Sequence, residues 1–311
     1  PSVVEVEELT ITMHWMVVAN YYHFLVEVFP YILDEIRSRQ EKNLPVPGIT
    51  PGHYIGLPMA RRRAFVDKML SALGINPELV ILLHSSEPRI IKIKKSATIL
   101  AGIASQTRRA VCATPSVLRG AKVWLRQQVL SSRQSLSTNT NKSVIWIGRD
   151  GASVRRIEGG GARGELATRI QQALPHNVTF EWVTPGRGRF KSTKELLRRI
   201  GSASVIAGVH GAGLSNIIFA APNATIIEIM PVLPQMFNYH YWTLAAALDL
   251  KYRVMPVVVD PEQMSFIDGF GKLIPTVKSF EVDHIEISSM IRRSLGLSEI
   301  STTSLIGGEK P

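Results

Sequence analysis

From Ser202 to Ile227 the chain carries no Asp, Glu, Lys or Arg, and this one run does most to limit the fold. It is long enough to cross a bilayer, which takes about 20 apolar residues. It is also interrupted by Gly208, His210, Gly211, Gly213, Asn216, Pro222 and Asn223, the punctuation of turns rather than of a membrane helix. It therefore reads as a strand over 205–209, a helix over 213–219 and a strand over 225–229, all inside one core. Uncharged strands buried on both faces belong to parallel sheets.

The flanking sequence repeats the same alternation. Residues 65–73 have helical spacing and stop at Gly74, and 79–83 form a short apolar strand. A helix over 117–129 is entered at Pro115 and Ser116. Strands follow at 144–147 and 178–183, helices at 165–174, 193–200 and 241–248, and a last strand at 252–259. Such alternation predicts an α/β chain with doubly wound parallel sheets. At 311 residues the chain exceeds the usual single domain, so two domains are expected. The polar, aperiodic stretch Ser131–Lys142 reads as their linker. The expected division is 1–130, linker 131–142, 143–280, then a terminal helix and tail over 281–311 that packs back on the first domain. The single cysteine, Cys112, rules out an internal disulfide.

The net charge of +11 is concentrated in the middle of the chain. Pro88–Asp150 holds 12 basic residues against Asp150 alone, and Gly151–Ser202 holds 10 against 4, while both flanks are mildly acidic. This predicts a positive surface or cleft that gathers an anionic ligand. Nucleic acid is one candidate, but between Pro88 and Asp150 the only aromatic residues are Trp124 and Trp146, so stacking platforms are missing. The better candidate lies at the glycine-rich turn. His210, Gly211, Ala212, Gly213 and Leu214 stand between a buried strand and a helix, where doubly wound folds bind ligands. Backbone N–H groups at a helix start suit phosphate oxygens.

Four segments resemble the family 61 glycosyltransferases. They are HGAGLSNIIFAAPNATIIEI with the preceding IGSASVIAGV, IWIGRDGASVRRI, NYYHFLVEVFPYIL, and YHYWTLAAALDLKYRV. Together they run from about Asn20 to Val259, and HGAGL is the specific part. The resemblance implies a GT-B fold, two Rossmann-like doubly wound domains facing a cleft, and inverting transfer from a nucleotide-sugar such as a UDP-sugar. Members of the family transfer different sugars, so the resemblance does not name the one used here. A glycan or glycoprotein hydroxyl is the expected acceptor.

Glycosyl transfer leaves negative charge on the departing diphosphate, which guanidinium forks match well. Arg149 and one of Arg155 and Arg156 are assigned to it. Glu228, placed at the end of a strand over 225–227, is expected to receive the ribose hydroxyls of the donor, as the resemblance implies. His23 and Glu27 share one helix face and are the candidates for the general base; alternatively Glu27 only orients His23 and the helix braces the domain interface. No apolar strand ends in an Asp-x-Asp pair, and Glu281 and Asp283 lie in a polar segment, so activity without a metal or other cofactor is expected. A noncatalytic sugar-binding protein of the same fold is the alternative. A nucleophilic hydrolase is rejected, because Cys112 has no glycine elbow and the glycine-rich turn carries His rather than Ser. The sequons at Asn141, Asn177 and Asn223 favour the Golgi or ER lumen over a bacterial cytoplasm, and the start at Pro1 leaves room for an upstream signal or membrane anchor.

Overall fold

The computed structural model describes residues 2–13, 23–57, 64–83, 89–101, 113–130, 142–150, 152, 155–161, 163–184, 193–232, 239–259, 264–269 and 272–298. Cys112, Asn141, the tail after 298 and all of the expected linker except Lys142 lie outside them.

Two parallel sheets organise the chain. The first contains β1 (Ser2–Met13), β2 (His53–Leu57), β3 (Val80–Leu82) and β4 (Arg89–Ala101) in the order β3-β2-β1-β4. The second contains β5 (Ser143–Ile147), β7 (Thr179–Val183), β8 (Val205–Val209), β9 (Thr225–Val232) and β10 (Lys251–Val258), ordered β10-β9-β8-β5-β7. A short β6 (Arg156–Ile157) pairs with β13 (Ser279–Phe280), and β11 (Met264–Gly269) with β12 (Lys272–Val277). The expected last strand is thus followed by three more, whose mixed polar sequence gave no period-2 signal.

All five residues of β8 are buried, and successive side chains go to opposite faces. Ile145, Ile147, Ile206 and Ile226 enter one core; Val144, Trp146, Val205, Ala207 and Ile227 enter the other. The first core also takes Phe24, Phe29 and Ile32 from the amino-terminal half, Val66 and Leu70 from α2 (Ala64–Ala72), and Leu118 and Trp124 from α3 (Pro115–Leu130). Packing on this side therefore runs unbroken across the expected domain boundary. The second core is closed by α4 (Glu165–Gln172) and α7 (His284–Ser294). The terminal helix α7 lies on α4 rather than on the amino-terminal half, because Ile287 and Ile291 find their apolar surface there.

Among the described residues three helical segments depart from α geometry, a short 3-10 turn at Pro77–Leu79 and two longer ones. The turn Phe24–Val28 is a π-helix that runs into α1 (Phe29–Glu41), and Ala212–Phe219 is a 3-10 helix. π turns recur at functional sites, and this one carries Glu27.

Part of the central basic charge is spent inside the fold. On α3, Arg119 and Lys122 donate to the carbonyls of Ala247 and Leu248 (3.4 and 3.0 Å), at the end of α6 (His240–Ala247). Arg126 donates to Gly201 O (3.3 Å), near the end of α5 (Thr193–Ser202). Cations offset the negative ends of helices, so these three residues are explained without a ligand. On β4, Lys92, Lys94 and Lys95 meet Glu5 and Glu7 at the surface.

Burial, with the charge of Arg126 next, holds Lys122 down to about 8. Its folded value is below that of the unfolded chain, so the folded state gives up the proton first and stability rises with pH from about 8 to the ordinary lysine range near 10.5. Lys122→Met removes that dependence. In urea melts its stability relative to the wild type should be highest below pH 8 and decline steadily above it; a difference independent of pH would refute the assignment.

Candidate active site

The chain passes from β5 to β7 on one side, then crosses back to β8 on the other. That reversal opens a crevice between the carboxyl ends of β5 and β8, the place where open α/β sheets receive ligands. β5 delivers Arg149 to it and β8 delivers His210 and Gly211. The two loops meet: a Cβ on Gly211 would stand 1.7 Å from Nη1 of Arg149. Glycine is needed here for space, since the guanidinium lies where a side chain would begin. Its φ of 162° is extended backbone open to any residue.

Arg155 joins this pair. Its φ of 53° is left-handed, unusual for a residue with a Cβ, and its N–H donates to Val277 O (2.7 Å), which fixes the loop. Burial, reinforced by the charge of Arg155, brings Arg149 down to about 10, and burial lowers Arg155 as well. Nε of each is buried without a hydrogen-bond partner among the described residues. Arg156, by contrast, is exposed on β6. The structure thus separates two neighbours that the sequence could not, and the half-buried Arg155 is the companion of Arg149.

Glu228 holds His210 on the side of the first core, where Tyr252 also packs. Nδ1 of His210 hydrogen-bonds Glu228 Oε1, and Tyr252 donates to Glu228 Oε2. Glu228 lies within β9, not at its end, and is 0% exposed. With both oxygens engaged and no access to solvent it does not present a carboxylate to ribose, which corrects the role expected for it. It holds His210 instead. Burial, then the adjacent Glu228, pushes the Tyr252 hydroxyl far above the usual phenol range, keeping it a donor.

The loop is also held from α6. Tyr241, buried, donates its hydroxyl to Gly211 O and sets its ring edge-on to His210 at 5.3 Å. Leu214 N closes onto Gly211 O (2.8 Å), starting the 3-10 helix, with Leu214 itself in the core and Ala212 and Gly213 half-buried. The N–H groups of a helix's first turn have no partner within the helix, so Ala212 and Gly213 offer donors beside the two arginines.

The π turn brings the predicted base to the same place. It packs on the 3-10 helix, and His23 Nδ1 lies 2.8 Å from Oε1 of the buried Glu27. His240, at the start of α6, is lowered by burial and then by the nearness of His210 and His23. His210 and His23, from distant segments, therefore both lie near His240. Tyr241, Tyr252 and His240 escaped the assignment of roles from sequence. All three lie in one quoted segment, YHYWTLAAALDLKYRV, but only the return of α6 and β10 to the crevice gives them a task. Among the described residues no group of three or more His, Cys, Asp and Glu could hold a metal ion.

A profile of the family described as Glycosyltransferase 61 matches residues 21–227, taking in His23, Arg149, Arg155 and the His210 loop. Two curated proteins are similar over shorter segments. A Beta-1,2-xylosyltransferase of Arabidopsis thaliana is 44% identical over 64 residues, 21% of this chain and 12% of that protein. An Alpha-1,3-arabinosyltransferase XAT3 of Oryza sativa subsp. japonica is 27% identical over 95 residues, 30% of this chain and 16% of that protein. The matched stretches thus span well under a fifth of either relative.

Proposed function

This chain belongs to the glycosyltransferase 61 family, and from that premise we propose that it moves a sugar from a nucleotide-sugar, a UDP-sugar in our reading, to a hydroxyl of a glycan or glycoprotein. One observation carries the proposal: two half-buried guanidiniums, Arg149 and Arg155, lie together at the switch point with Nε of each shielded from solvent, and partial burial depresses both. Charges of one sign gathered out of water call for a counter-charge. A diphosphate supplies it, with its oxygens on Arg149, Arg155 and the N–H groups of Ala212 and Gly213. As the glycosidic bond breaks, charge grows on that diphosphate and is met by donors already in place, which lowers the barrier more than it tightens ground-state binding.

On the opposite side of the sugar, His23 takes the acceptor's proton and Glu27 orients its ring, so that attack inverts the anomeric centre. In this reading the fold is of the GT-B type, with the amino-terminal sheet and the π turn on the acceptor side and the second sheet on the donor side. The lining of Arg, His and Tyr is cationic or neutral and suits an anion better than a divalent ion. Transfer should accordingly persist in excess chelator; turnover that is abolished by EDTA and restored by manganese would overturn that part of the reading. The donor site itself is tested by thermal shift, where UDP should raise the melting temperature of the wild type and leave that of Arg149→Ala unchanged.

The basic residues that suggested nucleic acid have other uses, since those on α3 hold helix ends and those on β4 meet glutamates. Among the described residues no helix is long and apolar enough to cross a membrane. We place the reaction in the Golgi or ER lumen, a location that the exposed sequon residue Asn177 suits.

A further inference from the structure

On the side of the second sheet away from His210 lies a cavity of about 500 Å³. Trp146 and Trp182 line it from the sheet, Arg149 from the loop after β5, Arg156 from β6, and Glu158 with Gly159–Gly161 from the turn after β6. Arg149 is common to this cavity and to the crevice, where it rests on Gly211. A diphosphate held by that guanidinium therefore has one space on each side of it. The sugar must face His23 and the acceptor, which leaves the cavity for the other half of the molecule.

The cavity is built for a polar, flat guest. Its volume is within the range of small-molecule sites. The two indoles are stacked at 5.1 Å and 15°, and the Arg149 guanidinium lines the wall beside them. Carboxylates there differ in what they can still do. Both oxygens of Asp150 are taken, by Trp182 Nε1 (3.2 Å) and Thr184 Oγ1 (2.7 Å). Glu158 is exposed and fixed at two points: its N–H donates to Phe280 O (2.9 Å), and its Oε1 accepts from Ser279 Oγ (2.9 Å). Its second oxygen has no hydrogen bond among the described residues.

We propose that this cavity receives the base and ribose of the nucleotide donor, and that Glu158, not Glu228, accepts the hydrogen bonds of the ribose hydroxyls. The assignment rests on the diphosphate reading above. A carboxylate that accepts from a sugar hydroxyl should confer preference for ribose over 2′-deoxyribose of about tenfold to a hundredfold.

Calorimetry with UDP, GDP and CDP, and with the 2′-deoxy form of whichever binds, tests it. Wild type should prefer the ribo form, Glu158→Ala should bind ribo and deoxy forms equally, and Glu158→Gln should recover part of the preference. Arg149→Ala should weaken both forms alike. If Glu158→Ala keeps the ribo preference while Arg149→Ala still loses binding, the nucleoside lies elsewhere and only this inference falls. If wild type binds none of the diphosphates, the donor-site reading falls with it.

Discussion

Gly211→Ala is expected to lower transfer as much as Arg149→Ala does, about a hundredfold to a thousandfold in kcat/KM, and the double variant should be no worse than either single one. The added methyl group would occupy the position of the Arg149 guanidinium. What must move is the far end of a flexible side chain, not backbone, and the φ of Gly211 suits alanine. The fold should consequently survive, with thermal melting close to wild type, while the cation leaves the diphosphate. Residues that act through one interaction give non-additive losses. Arg149→Lys should restore little, since an ammonium presents a point charge where a planar fork is needed. Steady-state kinetics on the four proteins decides the matter: losses that multiply in the double variant would mean that Gly211 and Arg149 serve different steps.

The elements of the second sheet were legible because their sequence leaves little choice. An uncharged run broken by glycines can only be strand, turn and strand in a core, and the structure has β8 and β9 there. What sits beside Arg149 was not legible. The contact with Gly211 depends on strand order, β5 beside β8, and no local pattern states the order of strands. Glu228 shows the same limit from another side. Its strand continues past it to Val232, so a residue read as a strand end with water beside it is in fact interior, facing a histidine and a tyrosine. The basic residues of α3 looked like ligand contacts because charge is visible in sequence and helix ends of other segments are not. Arg155 and Arg156 are adjacent and chemically identical, and only the left-handed backbone at Arg155 turns one inward. Spacing placed His23 and Glu27 on one face, and their side chains do meet at 2.8 Å, although Glu27 lies in a π turn and not in the regular helix assumed.

Glu228→Gln should leave the chain folded and lower transfer by about a hundredfold or more. An ionised carboxylate only accepts, so Glu228 requires the proton of His210 to sit on Nδ1, while Tyr252 donates to the other oxygen. Nε2 is then the ring atom left to serve a ligand. A glutamine fills the same volume but has one acceptor and one amide donor. Tyr252, whose hydroxyl is held protonated, takes the acceptor, so the amide N–H is left to point at Nδ1. That forces the proton of His210 onto Nε2 and reverses which ring atom donates, with no change in packing. Glu228→Ala is a different experiment. It leaves His210 and Tyr252 without partners inside the core and should cost about 3–5 kcal/mol of stability, visible in urea melts. The two variants together separate positioning from folding: Gln should hold near wild-type stability and lose turnover, and the pH dependence of its residual kcat should be shifted from that of the wild type. A glutamine variant with full activity and an unchanged profile would show that the proton position on His210 plays no part in transfer.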